Sequence, residues 1–318
     1  MDRNNYINIK NKTILISDIG NSEQASDLSV PANCKGFGRV RHFYRRQENW
    51  LDDPLPIDPA CKALKLPFSD SIEAQVFQMG YCNMNCWYCF VPDSLRTGNN
   101  GKWLSADDLM DLYLKETVAP KVIDLSGGNP ELTPEWIFWW MKAIKKRNLE
   151  NKVYLWSDDT LSTNSMYKFL TKKQIEELSD FKSYGKVCCF KGFDEETYFF
   201  NSRFKDGNYY TQFDTISKYI LQGFDIYAYV TITCSNLFNI EKRIKNFFDD
   251  LQKIHELLPL RTIPLKIVAY GPTKHRMNNE HTSAIQNQFI VKDVWLSELY
   301  KRFSAEKIKR NISELRLK

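Results

Sequence analysis

Three cysteines share one short loop, at Cys82, Cys86 and Cys89 in the stretch GYCNMNCWYCFVPD. Thiolates favour soft metals and most often hold zinc or iron–sulfur clusters. A structural zinc site needs four ligands, which usually come as two short pairs, and the chain has no second C-x2-C pair. Three cysteines alone suit a cubane cluster in which one iron stays open to a substrate or cosubstrate. The alternative is a zinc site completed by a distant thiol such as Cys34 or Cys61.

The composition is that of an ordinary soluble globular chain. It has 318 residues, of which 43% are hydrophobic and 26% charged, and its net charge of +5 is too small to indicate a nucleic-acid partner by itself. The longest dense apolar stretch, WIFWWMKAI, is far shorter than the ~20 residues that span a bilayer. The N-terminal MDRNNYINIKNKT lacks the apolar segment of a secretory signal. We therefore expect no membrane partner and a cytoplasmic location, where clustered cysteines stay reduced and indicate metal binding or catalysis.

From about Ser71, short β-type runs alternate with amphipathic helical patterns. The predicted strands are EAQVFQMG, KVIDLSGG, KVYLWS, KVCCFKG, FDIYAYVTITC and PLKIVAYG, and the first leads directly into the three-cysteine loop. The predicted helices include SADDLMDLYLKE, with Ser105 as N-cap, and TPEWIFWWMKAIKKRN, with Thr133 as N-cap and Pro134 in the first turn. This alternation predicts βαβ units and a parallel sheet, which right-handed crossovers curl into a barrel or an open twisted sheet.

Two regions lie outside the alternating pattern and complete the predicted domain organisation. Residues 1–70 are turn-rich and are expected to pack on the core as an N-terminal extension rather than to fold separately. Residues 71–272 form the predicted barrel. Residues 273–318 form a C-terminal extension, and its KDVWLSELYKRFSAEKIKRNISELRLK end has the pattern of a basic amphipathic helix.

The cysteine spacing, together with the strand before it, resembles the signature of the radical S-adenosylmethionine (SAM) superfamily. That signature is C-x3-C-x-aromatic-C after the first strand of an α/β fold, a partial (β/α)6 barrel, and Tyr88 takes the aromatic position here. The resemblance implies that Cys82, Cys86 and Cys89 hold a [4Fe–4S] cluster whose fourth iron is chelated by the amino and carboxylate groups of SAM. It also implies reductive cleavage of SAM to a 5′-deoxyadenosyl radical that abstracts hydrogen from a substrate.

The turn after the second predicted strand resembles the motif with which the same superfamily grips the amino group of SAM. The family pattern is Gly-Gly-Glu-Pro, and Gly127, Gly128 and Asn129 match it, with Asn in place of Glu. Glycines let the backbone approach a ligand closely, and an amide oxygen can accept a hydrogen bond from an ammonium group. Glu131 is a candidate substitute for the missing charge. A plain strand–turn–helix connection is the structural alternative.

Two later strand ends resemble positions of the glycyl-radical-enzyme activases within that superfamily. Ser157 matches a residue that contacts the SAM ribose, and Asp158 beside it could accept hydrogen bonds from the ribose hydroxyls, although an Asp–Asp turn would look the same. Lys191 matches a lysine near the SAM carboxylate, while Cys189 replaces the acidic residue expected two positions before it. Cys188 and Cys189 point to opposite faces of one strand and are expected to be buried structural thiols.

The resemblance as a whole implies a single-cluster radical SAM enzyme, closest in motif pattern to the activases. Its substrate would be a protein, a peptide or a small molecule. Its other expected partners are SAM and an external electron donor such as flavodoxin or ferredoxin. The candidates for quenching the product radical are Tyr229, Tyr270 and Cys234.

Two other functions stay open from the sequence. A non-enzymatic iron–sulfur or zinc protein would use the barrel as a binding module and would have no need of the Gly-Gly turn or of Lys191. A radical SAM enzyme that modifies RNA or a nucleotide would explain GRVRHFYRRQENW, whose arginines and aromatics could neutralise phosphates and stack on bases. Such a segment is more often a solvated strand or turn, so nucleic acid is not an expected partner.

Overall fold

The computed structural model of the chain describes residues 2–317. Its strands are β1 (Ile7–Asn8), β2 (Thr13–Ser17), β3 (Gly38–Tyr44), β4 (Ser71–Gln78), β5 (Gly101–Ser105), β6 (Val122–Ser126), β7 (Tyr154–Asp159), β8 (Tyr184–Phe190), β9 (Ile226–Thr231) and β10 (Thr262–Leu265). Its α-helices are α1 (Ile57–Ala63), α2 (Asp93–Arg96), α3 (Ala106–Tyr113), α4 (Pro134–Lys146), α5 (Ser165–Phe169), α6 (Lys172–Ser179), α7 (Glu195–Ser202), α8 (Thr211–Gln222), α9 (Ile240–Ile254), α10 (Gly271–Arg276), α11 (Asn279–Arg302) and α12 (Ala305–Ile308). Short 3-10 segments lie at Arg3–Asn5, Glu23–Asp27, Cys34–Gly36, Pro130–Leu132, Leu258–Arg261 and Ile312–Glu314.

The larger sheet has seven strands in the order β10-β9-β8-β7-β6-β4-β3, and a smaller one has the order β1-β2-β5. From β4 to β10, neighbouring strands of the larger sheet are parallel. Helices connect most of them in βαβ units, whose usual right-handed sense curls a sheet of this kind. The predicted α/β fold, a partial (β/α)6 barrel with an N-terminal extension and a C-terminal helix, is confirmed.

Strand β3 adds an antiparallel edge to this sheet that the sequence did not predict. It pairs with β4 from Gly38, opposite Phe77, to Tyr44, opposite Ser71. The charged side chains of GRVRHFY favoured a solvated strand or turn. Instead the strand belongs to the main sheet and gives it its second edge, opposite β10.

The two faces of the sheet have different partners because successive side chains alternate between them. The outer face packs against the helices in the largest apolar cluster, which includes Phe77, Leu125, Leu155 and Val230. The residues between them point to the inner face, so any polar side chain at such a position lies inside the curled sheet.

Helix α1 and the loop before it fill the inner face near the amino ends of the strands. Leu55 and Ile57 belong to one apolar cluster with Tyr154, Trp156 and Tyr227 of that face. We therefore regard the amino end of the barrel as filled, whereas the carboxyl end is occupied by the loops that follow the strands.

The smaller sheet supports the start of the cysteine loop. The Gly80 N–H donates to the Leu15 carbonyl of β2 at 2.8 Å. The rings of Tyr6 and Tyr81 are stacked with their centroids 4.5 Å apart. The N-terminal segment thus covers one side of the loop.

Local sequence signals set where the helices begin. Ser105 caps α3, as the sequence predicts, and exchanges reciprocal hydrogen bonds with Asp108. Helix α4 begins at Pro134, but the Thr133 side chain forms no N-cap bond and instead donates to the Pro130 carbonyl at 3.3 Å. Thr133 therefore stabilises the turn before the helix rather than the first helical N–H groups.

The C-terminal region differs from the sequence prediction in two respects. Strand β10 ends at Leu265, well before the expected end at Gly271, where α10 begins instead. Helix α11 starts at Asn279, because Asn278 and His281 form a reciprocal capping box there, and ends at Arg302. Within residues 2–317, no helix is both long and apolar enough to cross a membrane.

Candidate active site

The cysteine loop follows β4 and is fixed in position by the end of α7. The Asn85 N–H donates to the Ser202 carbonyl at 3.0 Å. The indole Nε1 of the fully buried Trp87 donates to Asn201 Oδ1 at 3.1 Å. These two bonds hold the loop between the first and the fourth parallel strand of the barrel, since α7 follows β8.

Cys82, Cys86 and Cys89 lie on this loop at the carboxyl end of the sheet. Cys86 is buried, and the other two are half-buried. Burial raises the pKa of the Cys82 thiol to about 12, and the neighbouring Cys86 adds to the rise. Burial and Cys86 also raise the pKa of Cys89. Thiolates in such a place need a cation to neutralise them, so the donor set fits a thiolate-held metal group.

Within residues 2–317, no three His, Cys, Asp or Glu side chains are grouped as ligands of one metal ion. The fit of the loop cysteines to a metal group therefore rests on their donor chemistry and shared loop. Cys34 and Cys61, the candidates for completing a zinc site, are buried in two different apolar clusters. Neither belongs to a group of three or more candidate metal ligands within residues 2–317.

Tyr88 connects the cysteine loop to the opposite side of the barrel. Its hydroxyl is 2.9 Å from Thr231 Oγ1 at the end of β9. Burial raises the pKa of Tyr88, so the phenol is neutral and takes part in a hydrogen bond rather than carrying charge. Tyr88, the aromatic residue of the motif, therefore reaches across the inner side of the sheet at the carboxyl ends of its strands.

The turn after β6 packs directly on the cysteine loop. A Cβ atom on Gly128 would lie 2.3 Å from the Tyr81 carbonyl oxygen and 2.4 Å from that of Met79. The Asn129 N–H donates to the same Tyr81 carbonyl at 2.8 Å. Gly127 has a φ of 73°, in the left-handed region that favours glycine. Both glycines are therefore required by the close approach of turn and loop.

The Asn129 side chain is buried with its acceptor unused. Its Nδ2 donates to Asn83 Oδ1 at 2.7 Å and to Thr160 Oγ1 at 2.8 Å. Its Oδ1 is buried and finds no hydrogen-bond partner among the described residues. A buried acceptor without a donor is costly, and a ligand ammonium group is a donor that would satisfy it.

Glu131, the candidate substitute for the missing family glutamate, is engaged elsewhere. Its carboxylate accepts from the Thr160 hydroxyl at 2.9 Å and from the Ser162 N–H at 3.0 Å. Burial, reinforced by the nearby Asp159, raises its pKa to about 7. The oxygens of Glu131 therefore organise the loop after β7, and its role as a substitute stays a prediction.

Lys191, Cys189 and Asp158 point to the inner side of the sheet near its carboxyl end. Burial opposes the charge on Lys191, but Tyr88, Cys189 and Cys86 favour it when ionised, and the net effect raises its pKa. Ser126 Oγ donates to Asp158 Oδ2 at 2.6 Å. The structure thus brings Lys191 and Cys189 within electrostatic reach of Cys86, and Asp158 within electrostatic reach of Lys191.

Ser157 is not part of this group. Its hydroxyl lies 2.9 Å from the Tyr184 hydroxyl on the outer, helix-packed side of the sheet. Alternation along β7 explains the difference, since Asp158 takes the inner side and its neighbour must take the other. The predicted ribose contact of Ser157 is therefore not supported by its position. Cys188 likewise faces the outer core, as predicted for a structural thiol.

Asp124 is a site residue that the sequence analysis missed. It lies in the middle of β6 on the inner face, opposite Val76 and Trp156, and both of its carboxylate oxygens are buried without a partner in residues 2–317. Burial, reinforced by Asp158, raises its pKa to about 8. The signal was present in VIDLS, where one acidic residue interrupts an apolar parallel strand.

We expect the raised pKa of Asp124 to make the unliganded protein less stable as the pH rises. Between the unfolded value of ~4 and about 8, the folded state holds a proton that the unfolded state has lost. In this range the free energy of unfolding therefore falls by roughly 1 kcal/mol for each unit by which the pH rises. Asp124→Asn should remove this slope, and its unfolding free energy should fall about 2 kcal/mol less than that of the wild type between pH 5.5 and 7.5.

Urea unfolding of both proteins at these two pH values measures the difference. Parallel profiles for the two proteins would mean that Asp124 is ionised throughout and that its burial has been offset by other groups. Glu306→Gln is a suitable control, because that residue lies in the first turn of the short helix α12, away from the sheet.

One comparison with known proteins identifies a family. The sequence model of the Radical SAM superfamily matches residues 77–234, which run from the end of β4 to just beyond β9. A solved structure with a similar chain is that of Streptococcus suis SuiB bound to precursor peptide SuiA, with a TM-score of 0.39 and 16% sequence identity. The match covers 55% of this chain and 35% of SuiB, and likeness of this degree bears on neither substrate nor activity. No curated protein matches the chain.

Proposed function

The chain belongs to the radical SAM superfamily, and on this premise we propose that it is a single-cluster radical SAM enzyme. The observation that supports this proposal best is the contact between the cysteine loop and the turn after β6, where Gly128 leaves no space for a Cβ atom beside Tyr81. A module that only bound metal would need the cysteine loop but not this turn.

We assign Cys82, Cys86 and Cys89 as the ligands of a [4Fe–4S] cluster. When bound, the cluster supplies the electron that splits SAM into methionine and a 5′-deoxyadenosyl radical, which abstracts hydrogen from the substrate. The protein itself fixes the loop through Trp87 and Asn85.

The SAM contacts that we propose come from the three strand ends nearest the loop. Gly127 and Gly128 bring their backbone close to the amino group, and the unused Oδ1 of Asn129 accepts from it. Lys191 supplies a buried positive charge for the carboxylate, an interaction that is stronger where water is excluded. Asp158 is the candidate acceptor for the ribose hydroxyls.

Partners other than SAM follow from the same chemistry. An external one-electron donor such as flavodoxin or ferredoxin would reduce the cluster. The substrate, a protein, a peptide or a small molecule, would enter at the carboxyl end of the sheet, because α1 and its neighbours fill the amino end. The match of Lys191 favours the activase-like branch.

The test is formation of 5′-deoxyadenosine by the protein reconstituted anaerobically with iron and sulfide, reduced with dithionite and given SAM. We expect formation by the wild type and loss of at least 100-fold in a variant with Cys82, Cys86 and Cys89 all changed to Ala. Cys34→Ala is the matched control, because it removes a buried thiol outside the loop and should leave the product yield unchanged.

Two results would contradict the proposal. One is absence of 5′-deoxyadenosine from wild-type protein that contains a full complement of iron and sulfide. The other is a native protein that carries zinc instead of iron, which would favour a structural metal site on a binding barrel.

A further inference from the structure

A cavity of about 480 Å³ opens beside the cysteine loop on the side of the edge strand β3. Arg39 and Arg41 of β3 line it, together with Phe90, which directly follows Cys89, and with Tyr270 from the loop after β10. Gln24 and Asp27 form part of the opposite wall. The cavity thus lies between the N-terminal extension and the radical SAM core, and the site described above does not use it.

Arg39 is a buried cation without an acidic partner. Its side chain is 8% exposed, and its only side-chain hydrogen bond among the described residues runs from Nε to Gln78 Oε1 at 3.2 Å. Burial, followed by repulsion from Arg41, lowers its pKa to about 10. A guanidinium remains charged at neutral pH even so, which makes this position costly unless an anion approaches.

Arg41 doubles the charge at the same place. It is half-buried, forms neither an ion pair nor a hydrogen bond through its side chain within residues 2–317, and lies over the Phe43 ring at 4.1 Å. The aromatic contact orients the guanidinium but leaves its N–H groups available. Two guanidinium groups on one face of a strand, two residues apart, can bind one oxyanion from the same side.

The acidic residues near the cavity do not neutralise this pair. Asp124 and Asp158 lie within electrostatic reach of Arg39, but neither forms an ion pair with it. The Asp27 carboxylate lies against Gly271, where an added Cβ would be 3.2 Å from Oδ2. Arg41 lies within electrostatic reach of Asp53, Asp124 and Asp158, but no carboxylate among residues 2–317 forms an ion pair with Arg39 or Arg41.

Side-chain contacts also link the cavity to the strand ends at which we place the SAM contacts. Gln78, which accepts from Arg39, is the last residue of β4 before the cysteine loop and lies opposite Ser126. A Cβ on Gly127 would lie 2.4 Å from the Gln78 side chain. Arg39 is thus two contacts away from the turn to which we assign the SAM amino group.

We propose that Arg39 and Arg41 bind an anionic group of the substrate, a carboxylate or a phosphate, in this cavity and so present the rest of the substrate to the strand ends. This inference rests on the proposed function and specifies its substrate class. Planar guanidinium groups bind both oxyanions in a bidentate manner, and Phe90 and Tyr270 provide an apolar wall for the atoms next to the anion.

The test uses the full-length protein and two probes, inorganic phosphate and succinate, with binding measured by isothermal titration calorimetry at low ionic strength. We expect saturable binding of at least one probe by the wild type and at least tenfold weaker binding by Arg39→Gln and by Arg41→Gln. The probe that binds more tightly shows whether the anionic group of the substrate is a phosphate or a carboxylate. Arg310→Gln, an exposed arginine of the C-terminal segment, is the matched control and should bind as the wild type does.

Arg39→Lys separates anion recognition from a general loss of structure, because it keeps the charge but loses the bidentate geometry. Its binding should be intermediate, and its melting temperature should match that of the wild type within a few degrees. Absence of binding of both probes by folded wild-type protein would overturn the proposal, and so would binding by both glutamine variants that is as tight as binding by the wild type.

Anion binding is measured without cleavage of SAM, so it tests the substrate class separately from the radical chemistry. Formation of 5′-deoxyadenosine without substrate and binding of the two anions are therefore both measured on the wild type. Wild-type protein that binds an anion but forms no 5′-deoxyadenosine would contradict the proposed function alone. Wild-type protein that forms 5′-deoxyadenosine but binds neither anion would contradict only the substrate assignment.

Discussion

Gly128→Ala is expected to reduce 5′-deoxyadenosine formation by at least 100-fold. The new Cβ would lie 2.3 Å from the Tyr81 carbonyl oxygen, which belongs to backbone and cannot move aside as a flexible side chain would. The turn must therefore shift by about 1 Å, which breaks the 2.8 Å bond from the Asn129 N–H to Tyr81. A displacement of this size at a positioning element costs about 100-fold in rate.

The same variant should retain iron, because the cysteines themselves are unchanged. The measurement is therefore product yield per bound iron, together with the affinity for SAM. Gly98→Ala is the control: it introduces backbone strain of about 1 kcal/mol at a φ of 85°, but its Cβ has only Leu15 Cδ2 within reach, at 3.8 Å. Wild-type yield per iron in Gly128→Ala would show that the turn does not position SAM.

Lys186→Met should destabilise the protein by about 3–5 kcal/mol, the largest effect on stability that we expect from a single change. Lys186 Nζ donates to Asp159 Oδ2 at 2.8 Å, and both side chains are completely buried. The Tyr219 hydroxyl donates to the same oxygen at 2.9 Å. Loss of the ammonium group leaves the Asp159 charge uncompensated in the core between the sheet and α8.

Urea unfolding at pH 7 measures this loss. The double variant Lys186→Met, Asp159→Asn should recover a large part of it, because the second change removes the orphaned charge. Lys142→Met, which breaks the partly exposed pair with Glu177, is the control and should change the stability far less than Lys186→Met does. Additive losses in the double variant would mean that the ion pair is not the source of the effect.

Much of the fold and part of the candidate site follow from local sequence signals. The loop of Cys82, Cys86 and Cys89 and the Gly127–Gly128 turn were predictable because both depend on residue type and spacing over a few positions. The alternation of strands and helices predicted the curled parallel sheet for the same reason. These features need no knowledge of what lies beside them.

The remainder depends on contacts between distant parts of the chain. Ser157 and Asp158 are adjacent in sequence, yet only the register of β7 decides which of them faces the site. Glu131 had the right chemistry for an acceptor, but the loop after β7 occupies its oxygens. The buried carboxyl of Asp124 is identified only once the inner face of the sheet is known.

The role of β3 was hidden for a further reason. Its arginines resembled a solvated surface in the sequence, because charge normally indicates exposure. Only the pairing of β3 with β4 shows that Arg39 lies inside, where it lines a cavity. An edge strand thus carries side chains that recognise a ligand rather than side chains that protect the edge.

The filling of the amino end of the barrel by α1 determines how a polymeric substrate can be handled. Leu55 and Ile57 occupy the space through which an extended chain would have to leave, so a peptide cannot thread through the barrel from one end to the other. It must enter and withdraw at the carboxyl end, presenting either a terminus or a loop folded back on itself. A peptide substrate of the proposed enzyme would therefore present one short segment at a time at the carboxyl end.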